Sequence, residues 1–201
     1  MLNLYLLVLV GLLALTARVL SLLALHLLPT GCNPLHDPVS RYANTRYGVL
    51  DGVQKFAGGV CTLSLAGALA LLRAPVSGLG LVVLSVNGLA LLLLVTVPAK
   101  TADKDAPRSR RWMLHLVLAL VSFTTIALAA GVLTAPILAW PSWQGSALLL
   151  TIAGIWTPVS VVLFIVAGGL ARWRPYLGLF QRAISLGTIC WLGAVLIPLL
   201  R

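Results

Sequence analysis

One arginine stands inside an otherwise apolar run of the sequence. Arg18 lies about ten residues before the end of the run 2–28, which holds no other Lys, Arg, Asp or Glu. A guanidinium in such a setting costs several kcal/mol unless it reaches water or an opposite charge. Three arrangements follow: the side chain snorkels to the headgroups, pairs with Asp51, or holds a lipid phosphate or another anionic head.

Three histidines and one cysteine are the residues that could hold a metal or haem. His26, His36 and His115 can all reach one end of the molecule, and Cys32 precedes His36 in sequence. Imidazole and thiolate together suit zinc or copper, and two histidines on facing helices could clamp a haem. No two of these histidines have the i, i+4 spacing of a helical metal pair. We therefore predict no cofactor, and keep a redox, metal or haem protein using these histidines as an alternative.

The segment 29-PTGCNPLHDPVSRYANTRYGVLD-51 carries most of the remaining polar chemistry. Its arginines, Arg41 and Arg46, could bind phosphate, and tyrosine rings suit the membrane interface. Prolines make the segment rigid, so it is predicted to fold as a structured first loop over one end of the molecule. A purely structural loop that touches headgroups is the alternative. The candidate residues for a ligand or lipid headgroup are Arg18, Ser40, Arg41, Tyr42, Arg46, Asp51 and His115.

The elements that position these residues are six apolar runs. Of the 201 residues, 60% are hydrophobic and 9% are charged, whereas a soluble domain has roughly 25% charged residues. About 20 apolar residues in a helix cross the hydrocarbon layer. The pattern predicts one all-α transmembrane domain, residues 1–201, built as a six-helix bundle. The predicted helices are 2–28, 52–72, 79–97, 113–136, 147–171 and 183–200.

The basic residues predict an orientation for this bundle. If both termini lie on one side of the membrane, called side A, the loops 29–50, 98–112 and 172–182 lie on the other, side B. Side B, with the start of the second helix, then holds eleven basic residues: Arg41, Arg46, Lys55, Lys100, Lys104, Arg108, Arg110, Arg111, Arg172, Arg174 and Arg182. Side A holds Arg73 and Arg201. The positive-inside rule puts side B in the cytoplasm and both termini outside.

Tryptophans stand near the ends of several apolar runs. We expect Trp112 and Trp173 to mark the inner interface, and Trp140 and Trp143 the outer one. Amphipathic rings at both interfaces are typical of membrane proteins.

The composition and missing motifs narrow the function. A net charge of +10 would suggest nucleic acid in a soluble protein, but these charges lie between apolar runs, so anionic headgroups are the expected partners and nucleic acid is not. The sequence has no nucleophile elbow, phosphate loop or His-Glu-x-x-His motif. It also lacks Glu altogether, which argues against a proton relay.

The loop sequence 34-PLHDPVSRYANTRYGVL-50 resembles the bacterial six-helix membrane family called "domain of unknown function 998". The matching positions are Pro38, Val39, Ser40, Tyr42, Gly48 and Leu50. The stretch 98–115 is similar to the family's third connection, which ends in a histidine, here His115. The stretch 178–192 resembles its last helix. The family favours acidic residues where this chain has Arg41 and Gln181, so any role of such carboxylates is in doubt here.

The resemblance implies the six-helix fold and a bacterial inner (cytoplasmic) membrane, and it assigns no activity. The wider superfamily is similar to eukaryotic six-helix proteins linked to autophagy and lipid-anchor handling, which implies membrane lipids. We therefore expect a non-enzymatic membrane protein that interacts with lipids or serves as an accessory subunit of a larger membrane complex. A small-solute transporter or channel, with Arg18 and Asn87 on its route, is a further alternative.

Overall fold

The computed structural model describes residues 2–74, 76–99 and 109–200, and within these ranges it contains helices and no strand. The long helices are α1 (Leu2–Leu27), α2 (Gly48–Leu71), α3 (Gly78–Thr96), α4 (Arg110–Leu138), α5 (Ala147–Gly169) and α6 (Leu177–Leu196). Four short 3-10 helices accompany them: Val39–Asn44, Pro141–Ser146, Arg174–Tyr176 and Ile197–Leu200.

The six long helices form a bundle in which each packs against the next along the chain and α6 returns to α1. All six, counted among the described residues, are long and apolar enough to cross a membrane. The predicted all-α, six-helix membrane architecture is therefore confirmed. The largest apolar core lies between the helices around Trp191 and Leu133, where Trp191 Nε1 donates to Thr134 Oγ1 at 2.9 Å.

Two helices begin at least one full turn earlier than the apolar pattern predicts. The structure starts α2 at Gly48 rather than at residue 52, and α6 at Leu177 rather than at residue 183. In each case the additional turn carries a charged side chain, Asp51 or Arg182, that is satisfied by contacts within the protein. A hydropathy pattern ends a predicted helix at such residues, because it registers the charged side chain but holds no information about the partner of that side chain.

The first loop runs over residues 28–47 and includes the 3-10 helix Val39–Asn44. Val39 and Tyr42 of this helix pack with Leu22 and Leu25 of α1 in a second, smaller apolar cluster. The third connection, predicted as 98–112, lies mostly outside the described residues. Lys100, Lys104 and Arg108, which contribute to the predicted charge of side B, are among the residues not described.

One aromatic prediction is wrong. Trp143 is only 1% exposed, and its Nε1 donates to the carbonyl oxygen of Val195 at 3.0 Å. It closes the side-A end of the core instead of facing lipid headgroups. Trp173, one of the two tryptophans predicted for the inner interface, is exposed and stacks on Phe180 with ring centroids 5.9 Å apart.

Candidate functional site at side B

Arg182 ties the first loop to the bundle. Its Nη1 donates to the carbonyl oxygens of Asp37 (2.8 Å) and Gly178 (3.0 Å), and its Nη2 donates to the Tyr42 hydroxyl oxygen at 2.9 Å. Its Nε donates to Nε2 of His26 at 2.7 Å. Because the carbonyl of Leu22 can only accept, His26 donates to it through Nδ1 at 2.6 Å, which leaves Nε2 free to accept from Arg182.

Further bonds join the same loop to the first turns of α6. The backbone N–H of Val39 donates to Oε1 of Gln181 at 2.8 Å, and that of Leu179 donates to the carbonyl of Leu35 at 3.0 Å. The contact is close, since a Cβ built on Gly178 would lie 2.6 Å from a backbone oxygen of the loop. A glycine is therefore required there, and the first loop covers the side-B end of α6 as a structured lid.

A buried ion pair lies at the start of α2. Asp51 accepts from Nζ of Lys55 and from Nε2 of Gln54, the latter at 3.3 Å. The side chains of the pair are only 2% and 8% exposed. His115 of α4 donates through Nδ1 to the Val97 carbonyl at 2.7 Å and is close enough to interact electrostatically with the pair. Asp51 therefore does not pair with Arg18, which was one of the three arrangements considered for that arginine.

An open groove runs between the start of α2 and the end of α3, and we call it the α2–α3 groove. It encloses about 620 Å³. Its polar end carries Arg46 and the Asp51–Lys55 pair, and its apolar walls include Val49 and Phe56, whose side chains are 78% and 56% exposed. The complete lining is Ala43, Thr45, Arg46, Gly48, Val49, Asp51, Gly52, Val53, Lys55, Phe56, Leu94, Val95 and Pro98.

The two candidate arginines of the first loop, Arg41 and Arg46, differ in their contacts with other described residues. Arg41 is exposed and forms an ion pair with Asp37. Arg46 has no ion-pair partner among the described residues and stacks over the Tyr47 ring, with Cζ 4.7 Å from the centroid. Ser40 is half-buried in the 3-10 helix beside them. Of these residues, Arg46 presents the charge that is most available to a ligand.

The histidines do not come together as a metal site. His36 donates through Nδ1 to the Pro175 carbonyl at 2.7 Å, while His26 and His115 hold the separate contacts given above. Within residues 2–74, 76–99 and 109–200 no group of three His, Cys, Asp or Glu side chains is placed to hold a metal ion. The metal or haem alternative stays a prediction without a supporting cluster.

Interior polar groups, considered for a transporter route, bond to one another across helices. Thr62 of α2 donates to Oδ1 of Asn87 on α3 at 3.3 Å, and Asn87 Nδ2 donates to the Ser122 carbonyl of α4 at 2.6 Å. Such bonds are a common way of joining membrane helices. The transporter or channel alternative also stays a prediction.

Sequence reasoning missed the two residues that organise side B. Arg182 was counted only as a surface charge, although the adjacent polar residues Gln181 and Arg182 interrupt an apolar stretch. Lys55 stands four residues after Asp51, the spacing at which side chains on one helix face meet. That spacing indicates an ion pair. The lid contacts could not be predicted from the sequence, because they join residues about 140 positions apart.

Comparison with known proteins gives one match. Residues 8–198 match the family described as "Protein of unknown function (DUF998)". No curated protein and no solved structure matches the chain.

Proposed function

The chain belongs to the DUF998 family of unknown function, and from the geometry of side B we propose that it is a non-enzymatic membrane protein that binds an anionic lipid in the α2–α3 groove. The observation that carries this proposal is the amphipathic lining of the groove. One end presents a cation, Arg46, and the walls present exposed apolar side chains such as Val49 and Phe56.

The shape of the groove suits a lipid better than a soluble metabolite. Its volume of about 620 Å³ falls within the roughly 300–1,000 Å³ of ligand pockets. The groove lies on the outer surface of two helices that are able to cross a membrane. A headgroup at Arg46 would therefore leave its acyl chains free to run along Val53 and Phe56 into the bilayer.

The charges of the groove favour an anionic headgroup. Asp51 is compensated by Lys55, so these two residues together add no net charge. Arg46, which has no ion-pair partner among the described residues, then supplies a positive charge at the polar end. Guanidinium groups bind phosphate through parallel N–H bonds, which adds geometric selectivity to the attraction. Phosphatidylglycerol is the probe that fits this chemistry.

We also propose that side B faces the cytoplasm of a bacterial inner membrane, with both termini outside. The support is the basic charge of side B, which includes Arg110, Arg111 and Arg174 among the described residues. Anionic lipids attract such clusters at the cytoplasmic surface by about 1 kcal/mol per residue. The proposed groove would then open toward the leaflet that holds its ligand.

Lipid retention by the purified protein tests the proposal. Protein in neutral detergent is mixed with phosphatidylglycerol or phosphatidylcholine, and bound lipid is counted by native mass spectrometry. We expect Arg46→Gln to weaken phosphatidylglycerol binding about tenfold or more, since a hydrogen bond to a charged group contributes about 1.5–3 kcal/mol.

Arg41→Gln is the matched control. It removes a charge from the same loop, but that charge is already paired with Asp37, so the expected loss is much smaller. Equal retention by the Arg46 variant and the unmodified protein, or no preference for phosphatidylglycerol over phosphatidylcholine, would contradict the proposal.

A further inference from the structure

Arg18 is buried in the bundle, and part of its guanidinium has no hydrogen-bond partner among the described residues. The residue is 7% exposed, and its Nε and Nη1 atoms are buried with no hydrogen-bond partner among the described residues. It therefore does not snorkel to the surface, which was the simplest arrangement expected from the sequence. An unpartnered guanidinium in this position is costly, so a counter-group is required.

The described part of the chain offers no carboxylate for this purpose. Asp37 is paired with Arg41 and Asp51 with Lys55. The other two acidic residues, Asp103 and Asp105, lie outside the described residues. The Cys61 thiol lies within electrostatic range of Arg18, but a neutral thiol is a weak acceptor and supplies no charge.

The guanidinium lies on a polar stripe of α2. A Cβ built on Gly58 would lie 3.0 Å from Nη1 of Arg18, so the absence of a side chain at this position admits the guanidinium. Asp51, Lys55, Gly58 and Thr62 follow one another at spacings of four, three and four residues, which places them on one face of the helix. This stripe connects Arg18 to the side-B end.

The depth of Arg18 is within reach of headgroups. With 19 residues, α3 is about 29 Å long, close to the roughly 30 Å of bilayer hydrocarbon. The Cδ1 atom of Leu91 lies 3.3 Å from the same Cβ built on Gly58 that lies close to Arg18 Nη1, so Leu91 marks the depth of the guanidinium. Leu91 is just over one turn before Thr96, the end of α3. The guanidinium is therefore about 8 Å along the helix axis from the side-B end of α3.

We propose that Arg18 is an anion-binding residue that holds a phosphate group, which enters from side B along the polar stripe of α2. A planar guanidinium can bind two phosphate oxygens through parallel N–H bonds, and Nε and Nη1 of Arg18 have no hydrogen-bond partner among the described residues. This site is separate from the α2–α3 groove, because neither Arg18 nor Gly58 lines that groove, and it does not depend on the lipid proposed there. The phosphate belongs either to a lipid headgroup or to free phosphate.

Thermal unfolding of the delipidated protein in neutral detergent tests this site. At constant ionic strength, the protein is titrated with inorganic phosphate in one arm and with phosphatidylglycerol in another. At about tenfold the dissociation constant, we expect the unfolding midpoint to rise by about 3–5 °C. A response to both additives shows that free phosphate is sufficient for binding at Arg18. A response to the lipid alone shows that the bound phosphate belongs to a lipid headgroup.

Three variants separate the explanations. Arg18→Gln should lose the response, and Gly58→Ala, which keeps the charge but adds a methyl 3.0 Å from Nη1, should weaken it. Arg172→Gln removes an exposed arginine at side B and should leave it unchanged. Phosphorus analysis before delipidation detects a ligand that stays bound through purification. In that analysis Arg18→Gln should retain about one phosphate fewer per chain than the unmodified protein.

Two results would overturn the inference. One is an equal response, together with equal bound phosphorus, in Arg18→Gln and the unmodified protein. The other is a higher midpoint for Arg18→Gln without any additive, with no response in the unmodified protein, since that is the behaviour of an uncompensated charge. If the first result is obtained with the lipid and Arg46→Gln loses that response, the lipid binds in the α2–α3 groove, and only the Arg18 site is overturned.

Discussion

Asp51 and Lys55 show how strongly a membrane-embedded residue depends on its partner. Both side chains are almost completely buried, and they stand one turn apart on α2. Removing two charges from water costs free energy, and their mutual attraction offsets that cost only while both charges are present. The pair is therefore neutral as a unit, and either residue alone would be an unpaired charge in the bundle.

Lys55→Met should destabilise the protein by about 3–5 kcal/mol, because it leaves Asp51 buried without its counter-charge. The double variant Lys55→Met with Asp51→Asn should recover most of this loss, since no charge then remains at the site. Unfolding midpoints in detergent measure both. A double variant as unstable as the single one would show that packing of Lys55, rather than its charge, matters.

At the scale of elements, hydrogen bonds join the first loop to α6. Arg182 contributes four hydrogen bonds, to Asp37, Gly178, Tyr42 and His26, and so connects the loop to both terminal helices. Asn44 extends the connection by donating through Nδ2 to the Ala99 carbonyl at 2.8 Å. The loop thereby positions Arg46 at the polar end of the α2–α3 groove.

Arg182→Gln should release the first loop while leaving the six helices in place. Each bond to a charged group contributes about 1.5–3 kcal/mol, so loss of even one should accelerate amide exchange in residues 28–47 by at least about tenfold. Arg174→Gln is the control, because among the described residues the Arg174 side chain donates only to the nearby Gly168 carbonyl. Hydrogen exchange followed by mass spectrometry measures both. Equal exchange in the two variants would rule out this role for Arg182.

The sequence predicts these elements better than it predicts their contacts. Apolar length alone was enough to indicate six helices, because a bilayer allows few other structures for such runs. It was not enough to fix the first turns of α2 and α6, where Asp51 and Arg182 are satisfied by partners. The site is harder still to predict, because the lack of a partner for Arg18 among the described residues arises from the pairing of Asp37 with Arg41 and of Asp51 with Lys55.

At the scale of the whole molecule, charge and aromatic residues give the bundle two different ends. Side B carries the lid, the α2–α3 groove and most of the described basic residues. Side A is closed by Trp143, which packs inside the core beside Trp140, with ring centroids 5.5 Å apart. The proposed functions both require side B to face a pool of anionic headgroups or phosphate, so the orientation in the membrane matters to them.

Single-cysteine labelling tests the orientation. In a background with Cys32→Ser, Cys61→Ala and Cys190→Ala, a membrane-impermeant maleimide is added to intact cells. We expect Ser142→Cys, on side A, to be labelled at once, and Arg172→Cys, on side B, only after the membrane is permeabilised. Both positions are exposed, so accessibility within the protein is matched. The reverse pattern would place side B outside and contradict the proposed orientation.

The polar stripe of α2 also bears on how the chain is made. Of the six membrane-length helices in the described residues, α2 has the least apolar window and the most deeply buried one, 67% of it lying inside the protein. Insertion into a bilayer from the translocation machinery depends on hydrophobicity, which α2 supplies poorly on its own. Because α1 and α2 pack against each other more extensively than any other pair of described helices, we expect the two to enter the membrane together as a helical hairpin during synthesis. Arg18 would then meet the stripe before the later helices exist.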